Sequence, residues 1–281
     1  MAWRLPYTGA MTRAAAIQMV SSPDVDRNLA EAETLIARAA AEGAEFALLP
    51  ENFSIMGRED TDKLRYREPL GNGPQQRFLA DQARRHELWL MGGTIPLESG
   101  HENHILSGCL LFNPAGERVA VYYKIHLFDV SVDSRTGESY KESNTIVPGS
   151  DIVVAETPFG NIGMSVCYDL RFPELYRRML DRDISIITVP SAFTETTGRR
   201  HWEVLLRSRA VENLCYVIAS NQGGQNTETR ATWGHSMIID PWGDILGRME
   251  KGPGVVCADI DTGRVRELRR QFPAIEHRKF I

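Results

Sequence analysis

The chain has 281 residues, 42% of them hydrophobic and 25% charged, which is enough to bury a substantial core. Its formal net charge of −5, with no run of Lys and Arg interleaved with aromatic residues, argues against nucleic acid as a partner. No stretch approaches the ~18 uninterrupted apolar residues of a membrane helix, so a membrane partner is not expected.

Residues 1–10 have neither the charged start nor the apolar run of a secretory signal, and we expect them to form a flexible extension. No break in composition divides residues 11–281, which we predict to form a single domain. The cysteines are far apart and form no C-x-x-C pair, which favours a reduced, cytoplasmic setting; they are Cys109, Cys167, Cys215 and Cys257.

Apolar runs typical of strands alternate with helical periodicity along this domain. In chain order we predict strand 14–19, a helix capped by Asp26 and ending at residue 41, strand 46–49, a helix from residue 74 to about 86, and strands 88–95 and 105–112. There follow a strand towards Lys124, strands 152–157 and 162–167, a helix opened by Pro173, strand 184–189, a helix over about 201–213, and strands 215–219, 236–239 and 254–260. Hairpins mixed with strand–helix crossovers predict an α/β fold with mixed sheets covered by helices.

Three of these strand-like runs end in or lead into an ionisable residue. Glu51 follows Leu-Leu-Pro, Lys124 follows Tyr-Tyr, and Cys167 lies at a predicted turn from a strand into the Pro173 helix. Taken singly, a strand cysteine is usually a core residue and a lysine often protects a sheet edge. A buried carboxylate needs a partner, however, and the aromatic neighbours of Lys124 argue against its full exposure. Together the three supply a base, a cation and a thiol.

These motifs resemble those of the nitrilase superfamily of carbon–nitrogen hydrolases, whose members carry a Glu, a Lys and a Cys in this order. The matching segments are Leu-Leu-Pro-Glu-Asn-Phe around Glu51, Tyr-Tyr-Lys-Ile-His-Leu-Phe around Lys124 and Val-Cys-Tyr-Asp-Leu-Arg-Phe-Pro-Glu around Cys167. The resemblance covers the chain from about residue 13 to about residue 278. It implies a four-layer α-β-β-α sandwich, usually paired as a homodimer, and an enzyme that needs no cofactor.

The resemblance also implies a covalent mechanism for hydrolysis of a linear amide. A thiol with a pKa of about 8.5 needs a base to become a nucleophile, and Glu51 would serve as that base for Cys167. Lys124 and the backbone N–H of Tyr168 would stabilise the negative charge that develops on the carbonyl oxygen, each by about 3 kcal/mol.

A fourth catalytic residue is implied in the segment Glu-Ser-Asn-Thr-Ile-Val-Pro-Gly, which begins at Glu142. By composition alone Glu142 is a solvated loop carboxylate, since Lys141 and Ser143 flank it. The family, however, is described as having a second glutamate here that orients the lysine. We therefore include Glu142 in the expected site.

The predicted substrate wall begins at a strand end, in the segment from Pro190 to Gly198, and should reach the same edge of the sheet as Cys167. The guanidinium four residues after that cysteine suits a carboxylate on the substrate, although an ion pair with Asp169 or Glu174 is an equally ordinary use of it. The candidate substrate-binding residues are Tyr168, Arg171, Phe193, Thr194 and Thr197.

Within the superfamily, the loops most resemble those of deaminated glutathione amidases. The resemblance lies in Ser-Ala-Phe-Thr-Glu-Thr-Thr-Gly, in His-Trp-Glu-Val-Leu-Leu-Arg-Ser-Arg, in Glu-Thr-Arg at 228–230 and in Gly-His-Ser-Met-Ile-Ile-Asp-Pro-Trp-Gly. That group releases 2-oxoglutarate and cysteinylglycine from transaminated glutathione, a small anionic amide. The alternatives within the family are an ω-amidase acting on 2-oxoglutaramate, or another amidase.

Two other interpretations of these residues lie outside this mechanism. A thiol hydrolase with a histidine base would leave Glu51 and Lys124 without a role. A catalytically silent binding protein of the same fold is the alternative from a different class, but all four expected side chains are present. The histidines are scattered without a metal-binding spacing, so no metal is expected.

Overall fold

Two large mixed sheets organise the computed structural model, which describes residues 11–133 and 138–279. The helices are α1 (Val25–Ala41), α2 (Pro74–Arg85), α3 (Pro173–Met179), α4 (Glu195–Asn213) and α5 (Thr262–Gln271). The strands are β1 (Thr12–Gln18), β2 (Phe46–Leu48), β3 (Trp89–Met91), β4 (Ile95–Glu98), β5 (Ile105–Phe112), β6 (Arg118–Tyr123), β7 (Asp129–Asp133), β8 (Glu138–Lys141), β9 (Val154–Thr157), β10 (Gly160–Met164), β11 (Ile184–Ser191), β12 (Tyr216–Asn221), β13 (Met237–Ile239), β14 (Ile245–Arg248) and β15 (Gly254–Ile260).

The first sheet has the strand order β15-β1-β2-β3-β5-β4, with β6 paired to β5, and the second has the order β14-β13-β12-β11-β10-β9. Strands β1 to β3 are parallel, as are β10 to β12, and the outer pairs are antiparallel. Strands β7 and β8 form a separate hairpin. The prediction of an α/β fold with mixed sheets is confirmed.

Side-chain alternation along β1 shows how the layers stack, because successive residues of a strand point to opposite faces. Ala14 and Ala16 lie in an apolar core shared with the second sheet and with α4 residues such as Trp202. Ala15 and Ile17 lie in another core, shared with α1 and α2. The order of layers is therefore helices, first sheet, second sheet, helices, which is the expected α-β-β-α sandwich.

Helix α1 begins two residues earlier than predicted. Asp24, in an extended conformation after Pro23, is the N-cap, and its side chain accepts a hydrogen bond from the Arg27 backbone N–H at 3.1 Å. Asp26 lies instead in the first turn, where its charge still favours the positive end of the helix dipole.

The predicted strand over residues 88–95 is divided into β3 and β4. Gly93 lies between them with φ +46°, and a Cβ there would come within 1.9 Å of the Pro50 carbonyl oxygen. Only glycine allows this approach, which brings the link between β3 and β4 against the turn after β2.

Helix α4 begins six residues before the predicted start at residue 201, with Thr194 as its N-cap. Gly198, at the end of the predicted substrate wall, lies inside the helix. A Cβ there would come within 2.3 Å of the Trp233 side chain, so glycine lets Trp233 pack closely against the helix. Strands β7, β8 and β14 and helix α5 were not predicted.

The proposed extension at residues 1–10 lies outside the described residues, and the single domain over residues 11–281 stays a prediction. No helix in the described part of the chain is long and apolar enough to cross a bilayer.

Candidate active site

Glu51 lies in the turn that follows β2 and is 2% exposed. The turn is fixed from several sides: the Asn52 backbone N–H donates to Thr94 Oγ1 at 2.8 Å, and Gln222 Nε2 donates to the Glu51 carbonyl oxygen at 3.0 Å. Asn52 itself has a left-handed φ of +58°, a conformation that Asn tolerates better than most residues. Side chains from both sheets therefore hold the backbone of this turn in place, and with it the Glu51 side chain.

Lys124 follows the last residue of β6, and its side chain is fully buried. Its Nζ lies 2.7 Å from Glu51 Oε1 and 2.8 Å from Glu142 Oε2. One ammonium therefore bridges two carboxylates that are 91 positions apart in the chain.

Glu142 opens a 3-10 helix over Glu142–Asn144, and the Phe128 backbone N–H donates to its Oε2 at 2.8 Å. Further along the same segment, the Gly149 N–H donates to the Lys124 carbonyl oxygen at 2.9 Å. A Cβ on Gly149 would come within 2.3 Å of the Tyr123 carbonyl oxygen, so glycine is needed for the segment to lie this close to the end of β6. The Pro-Gly at the end of the motif thereby helps to place Glu142.

The ionisation states follow from this pairing. Burial by itself lowers the pKa of Lys124, but Glu142 and Glu51 outweigh it, so the pKa is raised well above its ordinary value. Burial by itself raises the pKa of Glu142, but Lys124 and Lys63 outweigh it and hold the pKa below its ordinary value. The lysine is therefore cationic and Glu142 anionic at neutral pH.

Cys167 begins a 3-10 helix over Cys167–Arg171, three residues after the end of β10, with a left-handed φ of +50°. This turn presents the sulfur at the rim of the second sheet, as the sequence predicted. Burial raises the pKa of Cys167 well above its usual range and Glu51 adds to the effect, while Lys124 and the backbone N–H of Ala192 oppose it. The resting group is a thiol, so reaction requires a base to remove its proton.

Asp169 fixes this turn from inside the protein. Its fully buried carboxylate accepts hydrogen bonds from the Val166 N–H at 2.8 Å, from Tyr122 Oη at 2.6 Å and from the His126 N–H at 3.0 Å. These contacts link the Cys167 turn to the segment that carries Lys124. Asp169 is therefore not the ion-pair partner of Arg171 that the alternative interpretation required.

A narrow cavity of about 290 Å³ opens above the sulfur. Three of the four predicted catalytic side chains line this cavity: Glu51, Glu142 and Cys167. The fourth, Lys124, is fully buried behind them and contacts both carboxylates. All five predicted substrate-binding residues line it as well: Tyr168, Arg171, Phe193, Thr194 and Thr197. The sequence analysis did not assign three further lining residues: Phe128, Ala192 and Arg230.

Arg171 enters the cavity with its guanidinium over the rings of Tyr168, at 5.7 Å, and Phe193, at 5.4 Å. Its Nη1 lies 3.3 Å from His201 Nδ1. Among the side chains that the structure describes, in residues 11–132 and 138–279, no carboxylate lies within ion-pair distance of it. A planar cation that lines the cavity and has no described carboxylate partner suits an anionic ligand.

Two further cations near the site were missed by sequence reasoning. Lys63 lies in the 3-10 helix Asp60–Tyr66 and is 8% exposed; burial, with the nearby charge of Arg230, lowers its pKa. Arg230 stands in the Glu-Thr-Arg segment that carried part of the family resemblance, and this was the available signal. Neither residue lies near the end of a predicted strand, so the pattern of ionisable residues at strand ends could not identify them.

The arrangement combines a protonated nucleophile, a buried carboxylate and a fixed ammonium at one cavity, which is the set that acyl transfer through a thioester requires. Within the described ranges there is no group of three or more His, Cys, Asp or Glu side chains that could hold a metal ion.

Known proteins match this chain over nearly its whole length. The family model for carbon–nitrogen hydrolases matches residues 13–270. A deaminated glutathione amidase of Synechocystis sp. is 43% identical over 271 residues, covering 95% of this chain and 98% of that protein. The deaminated glutathione amidase of Homo sapiens is 41% identical over 270 residues, covering 94% of this chain and 81% of that protein. The crystal structure of Saccharomyces cerevisiae Nit3, a member of branch 10 of the nitrilase superfamily, matches with a TM-score of 0.86 and 30% identity, covering 96% of this chain and 97% of that one.

Proposed function

Because the chain belongs to the carbon–nitrogen hydrolase family and is an amide-hydrolysing enzyme, we propose that it hydrolyses deaminated glutathione to 2-oxoglutarate and cysteinylglycine. The family match confirms the resemblance drawn from the Glu, Lys and Cys motifs. Support for the substrate comes from relatives named deaminated glutathione amidase at 38% to 43% identity over most of the chain.

In the proposed first half-reaction, Glu51 takes the thiol proton as the Cys167 sulfur attacks the amide carbonyl carbon. The electron pair of the C=O bond moves to oxygen, where the Lys124 ammonium and the Tyr168 backbone N–H stabilise the charge. The tetrahedral intermediate then collapses, the C–N bond breaks, and Glu51 gives its proton to the departing nitrogen. The acyl group remains on sulfur as a thioester.

In the second half-reaction, Glu51 removes a proton from a water molecule that attacks the thioester carbonyl carbon. Collapse of this second intermediate breaks the C–S bond, releases the carboxylic acid and returns the proton to sulfur. The observation that carries the mechanism is the single Lys124 ammonium between the Glu51 and Glu142 carboxylates at the cavity of Cys167. Glu142, in this scheme, holds the ammonium in position.

Arg171 is proposed to bind the carboxylate of the 2-oxo acid half of the substrate. Its guanidinium has aromatic neighbours and, in the described part of the chain, no carboxylate partner. The rings of Tyr168 and Phe193 and the hydroxyls of Thr194 and Thr197 would form the wall on which this half lies.

The direct test is a comparison of kcat/KM for deaminated glutathione and for 2-oxoglutaramate with the purified protein, following 2-oxoglutarate release. We expect at least about a tenfold preference for deaminated glutathione. A preference for 2-oxoglutaramate would identify an ω-amidase instead, and failure to cleave any amide would favour the non-catalytic binding protein.

We also propose that the chain forms a homodimer in the cytoplasm. Val204 and Val211 on α4, and Trp242 after β13, are exposed apolar side chains, which supports an interface on this side of the molecule. The four cysteines are free thiols, which supports a reducing compartment. Light scattering after gel filtration should give twice the mass of 31.6 kDa, and a monomer mass would contradict the dimer.

A further inference from the structure

The cavity of Cys167 adjoins a second, wider cleft at Arg230. Arg230 is the one described residue that lines both the inner cavity and the outer cleft. The outer cleft lies between the 57–60 segment, the β7–β8 hairpin and the 229–231 segment. A substrate that is too long for the inner cavity therefore extends past Arg230.

The guanidinium of Arg230 has no hydrogen-bond or carboxylate partner in the described part of the chain. It lies over the Tyr140 ring at 5.5 Å, and its Nε is buried without an acceptor. A half-buried cation with unused donors is costly to maintain, and a ligand carboxylate would satisfy it through the planar fork. The neighbouring Glu228, which could have been such a partner, pairs instead with Arg58 at 3.5 Å.

The described lining of the outer cleft has three cations: Arg58, which is paired with Glu228, Lys141, and Arg230, and of these only Arg230 also lines the inner cavity. The wall of the outer cleft carries the carboxylates of Glu59, Asp60, Asp129, Glu138 and Glu195. These carboxylates repel an anionic group, whereas Arg230 attracts one at the boundary with the inner cavity. A ligand with a single carboxylate on this side would thus place it beside Arg230.

The two unpaired guanidiniums enter the inner cavity from different walls, since Arg171 lies against Phe193 and Arg230 against Tyr140. We propose that Arg230 is a specificity-determining residue that binds the carboxylate of the departing amine half, while the outer cleft holds that half. The substrate class is then a 2-oxo acid amide whose amine is an amino acid or short peptide with a free C-terminus. This assignment rests on the proposed amidase reaction and on Arg171 taking the acyl half.

The test uses four amides of 2-oxoglutarate that differ only in the leaving amine: ammonia, methylamine, glycine and cysteinylglycine. In the Arg230→Gln variant, kcat/KM for the glycine and cysteinylglycine amides should fall about 10- to 100-fold more than for the methylamine amide, mainly through KM. Arg230→Lys should recover part of this selectivity because it restores the charge without the fork.

Arg248→Gln is the matched control, because Arg248 is an exposed arginine paired with Glu203 at 3.1 Å and lines neither the inner cavity nor the outer cleft. It should change all four rates in the same proportion. If Arg230→Gln lowers kcat/KM equally for all four amides, or not at all, the assignment is overturned. The rate with the methylamine amide shows whether the variant is folded.

The wild-type rates separate this inference from the proposed function. If the wild type prefers the ammonia amide but Arg230→Gln still lowers the ratio of glycine to methylamine rates, the proposed substrate is wrong and the role of Arg230 stands. If the wild type cleaves none of the four amides, both are overturned.

Discussion

The charged side chains at the base of the cavity are paired with each other, whereas those on its walls are not. At its base, Lys124 lies within 3.0 Å of oxygens of both Glu51 and Glu142, so its charge is paired before any substrate arrives. On its walls, Arg171 and Arg230 lie against aromatic rings and, within the described ranges, have no carboxylate partner.

The difference follows from how each part is built. The paired groups extend from the ends of β2 and β6 and from a segment tied to β6 by the Gly149 hydrogen bond, so the sheets fix their separation. The unpaired arginines belong to a 3-10 turn and a loop, where a guanidinium can meet a ligand. In the proposed mechanism, the paired charges hold the catalytic geometry and the unpaired charges recognise the substrate.

The largest effect should come from the nucleophile at the base. Cys167→Ala removes the only atom that can form the thioester, so turnover should fall by at least about 10⁴-fold, measured as 2-oxoglutarate release. Cys257→Ala, at a half-exposed cysteine of β15, is the matched control and should retain activity. Appreciable turnover by Cys167→Ala would exclude the covalent route.

Breaking the paired base should cost both activity and stability. Lys124→Met leaves the buried Glu51 carboxylate and the partly buried Glu142 carboxylate without their cation, which should destabilise the protein by about 3–5 kcal/mol and lower kcat by at least about 100-fold. Urea unfolding and steady-state kinetics measure the two effects. In the control, Lys251→Met breaks an exposed pair with Glu195 and should cost less than about 1 kcal/mol. Similar losses of stability in the two variants would refute the claim that the ion pairs at the base of the cavity contribute more than an exposed ion pair.

The walls should respond differently, because their charges act only when ligand is present. Arg171→Lys keeps the charge but loses the two-pronged donor, so kcat/KM for amides with a carboxylate on the acyl half should fall about 10- to 50-fold more than for neutral amides. The melting temperature should change little, since no carboxylate of the described chain depends on Arg171. Equal losses on charged and neutral amides would argue against its anchoring role.

The sequence predicted the base of the cavity better than its walls. Glu51, Lys124 and Cys167 each follow a strand-like run, and strand ends that meet at one edge of a sheet can be identified from local pattern. Phe128 and Arg230 follow no such pattern, because they reach the cavity through loops whose course depends on long-range packing. Long-range packing also explains why the predicted start of α4 was too late. Gly198 has a low helix propensity, and its close contact with the Trp233 side chain is apparent only in the fold.

Local rules also failed where two residues could serve equally well. Asp24 and Asp26 are both good N-caps, and the choice depends on which one has an extended backbone, which the sequence does not reveal. For Asp169, the sequence offered Arg171 as a partner two residues away. The structure provides Tyr122 and His126, which only the packing of the two sheets brings close.

The smallest expected effect concerns the acid side of stability. Glu142 has a pKa held below its ordinary value of 4.5 because Lys124 and Lys63 outweigh burial, so its stabilising contribution is present above that value and is lost as the pH falls through the folded pKa. Glu142→Gln removes the titrating group. The difference in unfolding free energy between wild type and this variant should therefore be constant above about pH 5 and shrink as the pH falls below it. Urea unfolding at several pH values measures this difference, with Glu98→Gln at the exposed end of β4 as the control for loss of one charge. A difference that does not change with pH would mean that the charge of Glu142 does not stabilise the paired base.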